Sequence, residues 1–393
     1  MEFLPRSMGT RPRLACEVRA EGVVAARAED AFAVLSAVSR VPLAEGVVVP
    51  RLRAVDAEVE VDNAASSGVG GSAEGRAAVV AAVRKALDAV CLRTREVTLI
   101  VPDAAVRVLL LEFDELPAKP AEALPIVRFR LKKLLPFDAD DAAVSYQVMS
   151  SAKGLLHVLA VAMPRELLAD YESVVREAGF EPGAVLPSTL AALAGLPEGD
   201  APLLVVNAGR EGVTTAIVKA GVLLLHRTVD LGADMRADAA AAQLAGNAMQ
   251  ELPVNRERST EEWSRQEPVS FIDQNDVAAA IETVMIEDEI VQEIAQEIAA
   301  ECLTDTADEV AQAVSVAAAY FEDTLQTPPP AIHAAGTLGA EALAALLDAA
   351  HIGPLAVQEV LRPEMLGAGA TSAGTPGGVP LGWLAGVRGA LAN

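Results

Sequence analysis

Residues 203–232 read LLVVNAGREGVTTAIVKAGVLLLHRTVDLG. Three apolar runs, 203–207, 213–219 and 222–229, are separated by turn residues at Gly209–Gly212 and Ala220-Gly221. Short apolar runs between glycine punctuation predict three consecutive strands. Upstream, residues 13–27 (RLACEVRAEGVVAAR) read as two short strands around a turn at Glu21-Gly22. The chain therefore carries a strand set near its start and another in its second half.

What lies between and after these sets fixes the order of elements. Residues 61–75 are a Gly/Ser/Ala loop without periodicity. In 76–91 the apolar positions Val79, Val80, Val83, Leu87 and Val90 have helical spacing. Strands are predicted over 97–101, 105–113, 143–149 and 155–163, with a helix over 120–135. Together 96–163 reads as a compact β-β-α-β-β insert. Helices follow over 164–178, closed by Gly179, and over 187–195. Composition turns acidic after Gly232, and 236–310 reads as mostly helical with a loop-like stretch at 251–276. Val291, Ile294 and Ile298 form a stripe there, read as a helix packed on its own domain. A helix over 307–325 stops at 328–330 (PPP), a short strand over 331–335 ends at Gly336, a helix spans 339–350, and 381–391 closes the chain as a helix.

The totals exclude several function classes. The 393 residues carry a formal net charge of −24, so no basic face is expected for nucleic acid. Mean hydropathy is +0.32, yet no apolar run approaches the roughly 20 residues of a bilayer span. The start, MEFLPRSMGTRPR, has no apolar signal-peptide core. Cys16, Cys91 and Cys302 are too far apart for a metal pair and suit a reducing cytoplasm. The four histidines show no metal-ligand spacing, and no phosphate-binding P-loop or nucleophile elbow is present. In KKLLPFDADD, residues 132–141, Lys132 and Lys133 fall in a helix's last turn, Pro136 breaks the helix, and Phe137 is expected to turn inward.

The order of elements, and five stretches within it, resemble the PilM family, cytoplasmic actin-like proteins of type IV pilus assembly related to the division protein FtsA. The stretches are LPFDADDAAVSYQ (135–147), DYESVVREAGFEPGAVLPSTLAALA (170–194), the 203–232 segment, VSVAAAYFEDTLQTPPPAIHAAGT (314–337) and the terminal PLGWLAGVRGAL. The resemblance implies an α/β, actin-like ATPase (ribonuclease H-like) fold of two lobes. The first lobe would comprise 1–95 and 164–200, with the insert at 96–163. The second would comprise 201–235 and 326–393, with a helical acidic subdomain at 236–325. The longer acidic segment around 236–290 has no counterpart expected from the family.

The resemblance also implies a cleft for ATP and Mg²⁺ between hairpin turns, each usually built on an Asp-x-Gly core. Here the first turn reads Glu17-Val18-Arg19, the second Asn207-Ala208-Gly209 with Thr214 beyond, and the third Gly336-Thr337. Amide for acid and arginine for glycine point to a degenerate nucleotide site at Glu17, Arg19, Asn207, Gly209, Thr214 and Gly336. Nucleotide binding without efficient hydrolysis, and no catalytic residue, is the expectation. The implied partner is the N-terminal tail of a PilN-like bitopic protein, held in a groove between the first lobe and the insert, beside Leu135, Pro136 and Phe137. Other pilus inner-membrane assembly proteins and a further copy of the chain are also expected partners, with membrane contact through partners only. The alternatives are an active actin-like ATPase and a GspL-like component of type II secretion, the latter requiring a membrane span after the actin-like part.

Overall fold

The computed structural model describes residues 12–29, 34–49, 52, 68–152, 154–196, 199–231, 306–353, 355–366 and 379–392. The expectations for the acidic segment, including the 251–276 loop and the Val291 stripe, lie outside the described residues. The chain divides into two compact units, Met1–Leu231 with Val310–Asn393, and Gly232–Glu309.

The chain opens with an antiparallel meander of β1 (Leu14–Arg19), β2 (Gly22–Ala28) and β3 (Leu35–Pro42). The third strand was not read from sequence, because LSAVSRVP mixes polar and apolar residues at its exposed end. A two-residue pair follows, β4 (Val48–Val49) with β5 (Gly68–Val69), and then helix α1 (Ala73–Val90). Ser72 caps α1 by accepting from the Gly75 N–H, one of the amides a helix start leaves unpaired. Strand β6 (Glu96–Val101) returns parallel to β1. The insert is β7 (Arg107–Phe113), α2 (Pro120–Leu131), β8 (Ala142–Ala152) and β9 (Leu155–Pro164). Helix α3 (Arg165–Glu177), strand β10 (Glu181–Pro187) and helix α4 (Ser188–Ala194) complete the first half.

The second half repeats the plan. β11 (Leu203–Ala208), β12 (Gly212–Lys219) and β13 (Val222–Asp230) form the meander expected from 203–232. Helix α5 (306–325), β14 (Ile332–Gly336), α6 (Gly339–Ala349), β15 (Val357–Glu359) and α7 (Ala385–Leu391) follow. The two five-stranded sheets have matching orders, β10-β6-β1-β2-β3 and β13-β12-β11-β14-β15 read from opposite ends. In each, the first strand of a meander stands at the centre and two later strands add to it in parallel.

Two boundaries differ from expectation. β6 belongs to the first large sheet, between β1 and β10, so the separate insert sheet begins at Arg107, with order β7-β9-β8. Its strand pattern was legible but its pairing partner was not. The closing helix α7, expected with the second lobe, packs instead on the first sheet, where Val387, Ala390 and Leu391 join Ala15, Val24 and Ile100. Leu135 and Phe137 are half-buried against the insert's own core of Leu111, Val127, Leu131 and Val158, on the α2 side of its sheet. Lys132 pairs with Asp140 at 2.5 Å, so the acidic burst after Pro136 partly answers the lysine rather than only solvating a turn.

Helix α1 and α3 cover one face of the first sheet, over a core that includes Leu87, Leu99 and Tyr171. Helices α4 and α7 cover the other. From α4, Leu190 and Leu193 reach Val205 and Val218 of the second sheet, so α4 lies between the two sheets. With only 3% aromatic residues, this layer must be filled by small and branched aliphatics at close range. The α4–α7 crossing shows how close: a Cβ at Gly389 would run into the carbonyl oxygen of Ala191, and Gly195 lies across from Gly389 Cα at 3.0 Å from its own would-be Cβ.

Two stability changes follow from this packing. Gly389→Ala should cost about 1–3 kcal/mol, because neither backbone can yield without repacking the layer. A urea midpoint lowered at unchanged slope would show it, and an unmoved midpoint would show slack in the crossing. Phe137→Ala should cost less than the ~3–5 kcal/mol of a fully buried phenylalanine, since part of its surface already meets water. The same denaturation curve reads it out, and a loss above that range would place Phe137 deeper in the core than its exposure indicates.

Candidate functional site

Glu17 and Arg19 alternate along β1 and point to the face covered by α4 and α7. The Glu17 side chain is fully buried and ion-paired to Arg19 at 2.6 Å. Burial pushes the Glu17 carboxyl up, with Asp103 adding to the rise, and the Arg19 charge and the Ser188 and Arg19 hydrogen bonds offset only part of it. Ser188, the first residue of α4, donates to Glu17 Oε1 at 2.6 Å and accepts from Arg19 Nη2 at 2.8 Å. Gly386 of α7 leaves the room: a Cβ there would sit 2.5 Å from Glu17 Oε2.

The second sheet enters through Asn207 near the end of β11. Its Oδ1 lies 3.4 and 3.5 Å from the two Arg19 terminal nitrogens. Its Nδ2 reaches Ser188 Oγ and Thr189 Oγ1, each at 2.9 Å, and Asp103 Oδ2 at 3.3 Å. Asp103, just past β6, also accepts from the Thr189 N–H and, at 2.5 Å, from the Thr189 hydroxyl. His226 of β13 approaches Asp103 at 4.0 Å with its Nε2 buried and unpartnered. Burial holds the His226 pKa below the usual histidine range even though the Asp103 charge works the other way.

A third set of contacts lies at the rim. Glu21, in the β1–β2 turn, reaches across to the β11–β12 turn, where its Oε1 accepts from the Arg210 N–H at 2.6 Å. The same oxygen accepts from Thr337 Oγ1 at 2.6 Å, just past β14. Gly209 makes the approach feasible, since a Cβ there would come within 2.9 Å of that oxygen. Burial would raise the Glu21 pKa, but the Arg210 amide, the Thr337 hydroxyl and the Arg19 charge outweigh it and hold the carboxyl below its usual range. Gly336, at φ +90°, is a position only glycine fits: a Cβ would meet Ala208 O and stand 2.6 Å from Asn207 Oδ1.

These groups line a cleft of about 440 Å³, counted with its open mouth, whose walls include Arg19, Glu21, Asp103, Asn207, Gly209 and Thr214. Of the six residues singled out by sequence, Arg19, Asn207, Gly209 and Thr214 line it, Gly336 backs Asn207, and Glu17 lies sealed beneath Arg19. Thr214 is occupied sideways, 3.0 Å from Thr228 Oγ1. Leu135, Pro136 and Phe137 stand apart in the insert. Sequence reasoning did not single out Glu21, Asp103, Ser188 and Thr189. Glu21 had appeared only as a turn residue, and the partners of both carboxylates are distant in the chain. Among the described residues no three His, Cys, Asp or Glu side chains stand together as a metal site.

No family model and no curated protein matches the chain. Among solved structures it is similar to a chain of the PilM-PilN type IV pilus biogenesis complex, with a TM-score of 0.57, 17% identity, and 90% of each chain covered. The fold is that of the actin-like ATPases. Two other solved structures show the likeness at lower scores. The cytoplasmic domain of EpsL, an inner membrane component of the Vibrio cholerae type II secretion system, gives 0.35 at 14% identity, over 66% of this chain and 90% of that one. The ethanolamine utilization protein EutJ from Carboxydothermus hydrogenoformans gives 0.39 at 11% identity, over 100% and 94%. The turns at 20–21, 209–212 and 336–337 meet at the cleft through Glu21.

His226 gives the cleft a testable pH response. Its folded pKa is lowered, so the unfolded chain binds the proton more readily. The resulting stability is present above the unfolded value of about 6.5 and is lost as pH falls below it. Denaturation midpoints should drop between roughly pH 7 and 5, and His226→Gln should flatten that part of the profile. An unchanged slope in the variant would assign the response to other groups.

Proposed function

We propose that this chain is a cytoplasmic adaptor of a type IV pilus-type assembly, which binds the short N-terminal tail of a PilN-like bitopic membrane protein and does not turn over nucleotide efficiently. The observation that carries the second half is Glu21. In an actin-like cleft the turn amides face a phosphate. Here a carboxylate of the chain itself takes the Arg210 amide and the Thr337 hydroxyl. Behind it the Arg19 guanidinium is committed to Glu17 and Ser188, and Asp103 to Thr189 and Asn207. Glu21 and Asp103 on the cleft wall already accept from donors of the chain itself, which competes with the oxygen coordination Mg²⁺ would need. The residues present do not fit a Mg²⁺-nucleotide.

The tail would dock between the insert and the first lobe. β7 supplies the reason. Val108 packs against the main body, and Leu110, two residues on and on the same face, emerges 37% exposed at the rim. An exposed apolar side chain next to a packed one suits a short disordered segment that orders on binding. The exposed Leu110 takes the docking role expected of Leu135-Pro136-Phe137, which contribute by shaping the insert.

Titration with a synthetic PilN-type N-terminal peptide tests the adaptor reading. Binding at micromolar level, weakened at least ~tenfold by Leu110→Asp, is the expected result; no binding at ~100 µM would remove it. Steady ATP hydrolysis at about 1 s⁻¹ or faster would remove the reading of the cleft instead.

A further inference from the structure

Helix α2 carries apolar residues on both sides. Its inner side, Ala123, Val127 and Leu131, is fully buried in the insert core. On the outer side Ile126 is 41% and Phe129 68% exposed, and Leu134 in the following turn is 49% exposed. A helix apolar on its outer face as well has a second surface to cover. The insert sheet separates this outer face from the main body, because Leu159 and Val161 on the sheet's opposite side pack against it. The face therefore points away from the main body, whereas helical and extended peptides are recognised in grooves.

Charge selects the occupant. At helical spacing with Ile126 and Phe129 stand Arg130 and Lys133, both exposed, with no carboxylate paired to either among the described residues. The neighbouring Lys119 and Lys132 are neutralised by Glu122 and Asp140. In a chain of net charge −24, an aromatic flanked by two unpaired cations is a local reversal of sign. Aromatic and aliphatic side chains between cations, on an exposed helix face, match the interface of an anionic bilayer.

We infer that the outer face of α2, centred on Phe129, is a contact for an anionic lipid surface. It is a weak auxiliary contact: one ridge of three apolar side chains does not anchor a protein by itself, and its use is to orient a chain already held near the membrane. Only that proximity rests on the tail-binding reading. The lipid contact itself is a property of the chain alone, which the expectation of membrane contact through partners did not include.

The test uses the full chain without any tail peptide, so its failure and that of the adaptor reading are distinguishable. Co-sedimentation with vesicles of phosphatidylcholine, alone or with about 30% phosphatidylglycerol, should show ~threefold or more protein on the anionic vesicles, falling as salt is raised. Phe129→Asp, and separately Arg130→Glu with Lys133→Glu, should return binding to the neutral-vesicle level. Because Phe129 is largely exposed, the variant should unfold at the wild-type midpoint. Equal binding to both vesicle types, or undiminished binding by Phe129→Asp, would overturn the inference. So would a change in the sedimentation coefficient of the protein alone on Phe129→Asp, which would make the ridge a contact between copies.

Discussion

The cleft depends on one buried ion pair. Glu17 stands in the middle of the first sheet with no access to water, and a carboxylate so placed needs a cation or a proton. Arg19 supplies the cation from two residues along the same strand. Once the guanidinium has turned inward, its remaining donors require acceptors, and these come from α4 through Ser188 and from the second sheet through Asn207. Removing either charge would leave the other buried without compensation, a loss of several kcal/mol rather than the small worth of a surface pair. The pair thus binds the first sheet, the layer between the sheets and the second sheet into one polar seam.

That seam is feasible only because the layer around it is thin. Gly386 lets α7 lie on the Glu17 carboxylate, Gly389 lets α7 cross α4 at backbone contact, and Gly336 lets the β14 turn close on Asn207. Each glycine is required by an approach that a Cβ would block, and two of the three belong to the terminal PLGWLAGVRGAL stretch. The chain's last described helix is therefore part of the first sheet's core and of the cleft floor, although it follows the second sheet in sequence.

Much of the fold was legible because it rests on local signals. Glycine-punctuated apolar runs gave β11 to β13 and the β1–β2 hairpin, and helical periodicity gave α1, α3, α5 and α6 close to their observed limits. What failed was pairing. The pattern of β6 says strand, but not that it lies beside β1 rather than β7; α7 reads as a helix, but nothing local says which sheet it covers. The site divides the same way. Arg19, Asn207 and Gly209, which all line the cleft, were singled out because they stand at or beside the ends of strands that lead into turns. Glu21 was not, because its meaning comes from Thr337, which is 316 residues away, and a turn carboxylate is usually just a solvated one.

The Glu21 bridge joins the turns of the two sheets through the chain itself. A nucleotide couples the turns of two lobes only while it is bound, so the coupling varies with its concentration and chemical state. A side chain couples them at all times and at an effective concentration no free ligand reaches. Here the carboxylate is held ionised by an amide, a hydroxyl and the nearby Arg19, which keeps the bridge closed across the neutral pH range. Arg19 serves twice, as the partner of Glu17 below and as the charge behind Glu21 above. Loss of Arg19 would therefore weaken the seam below and the bridge above together.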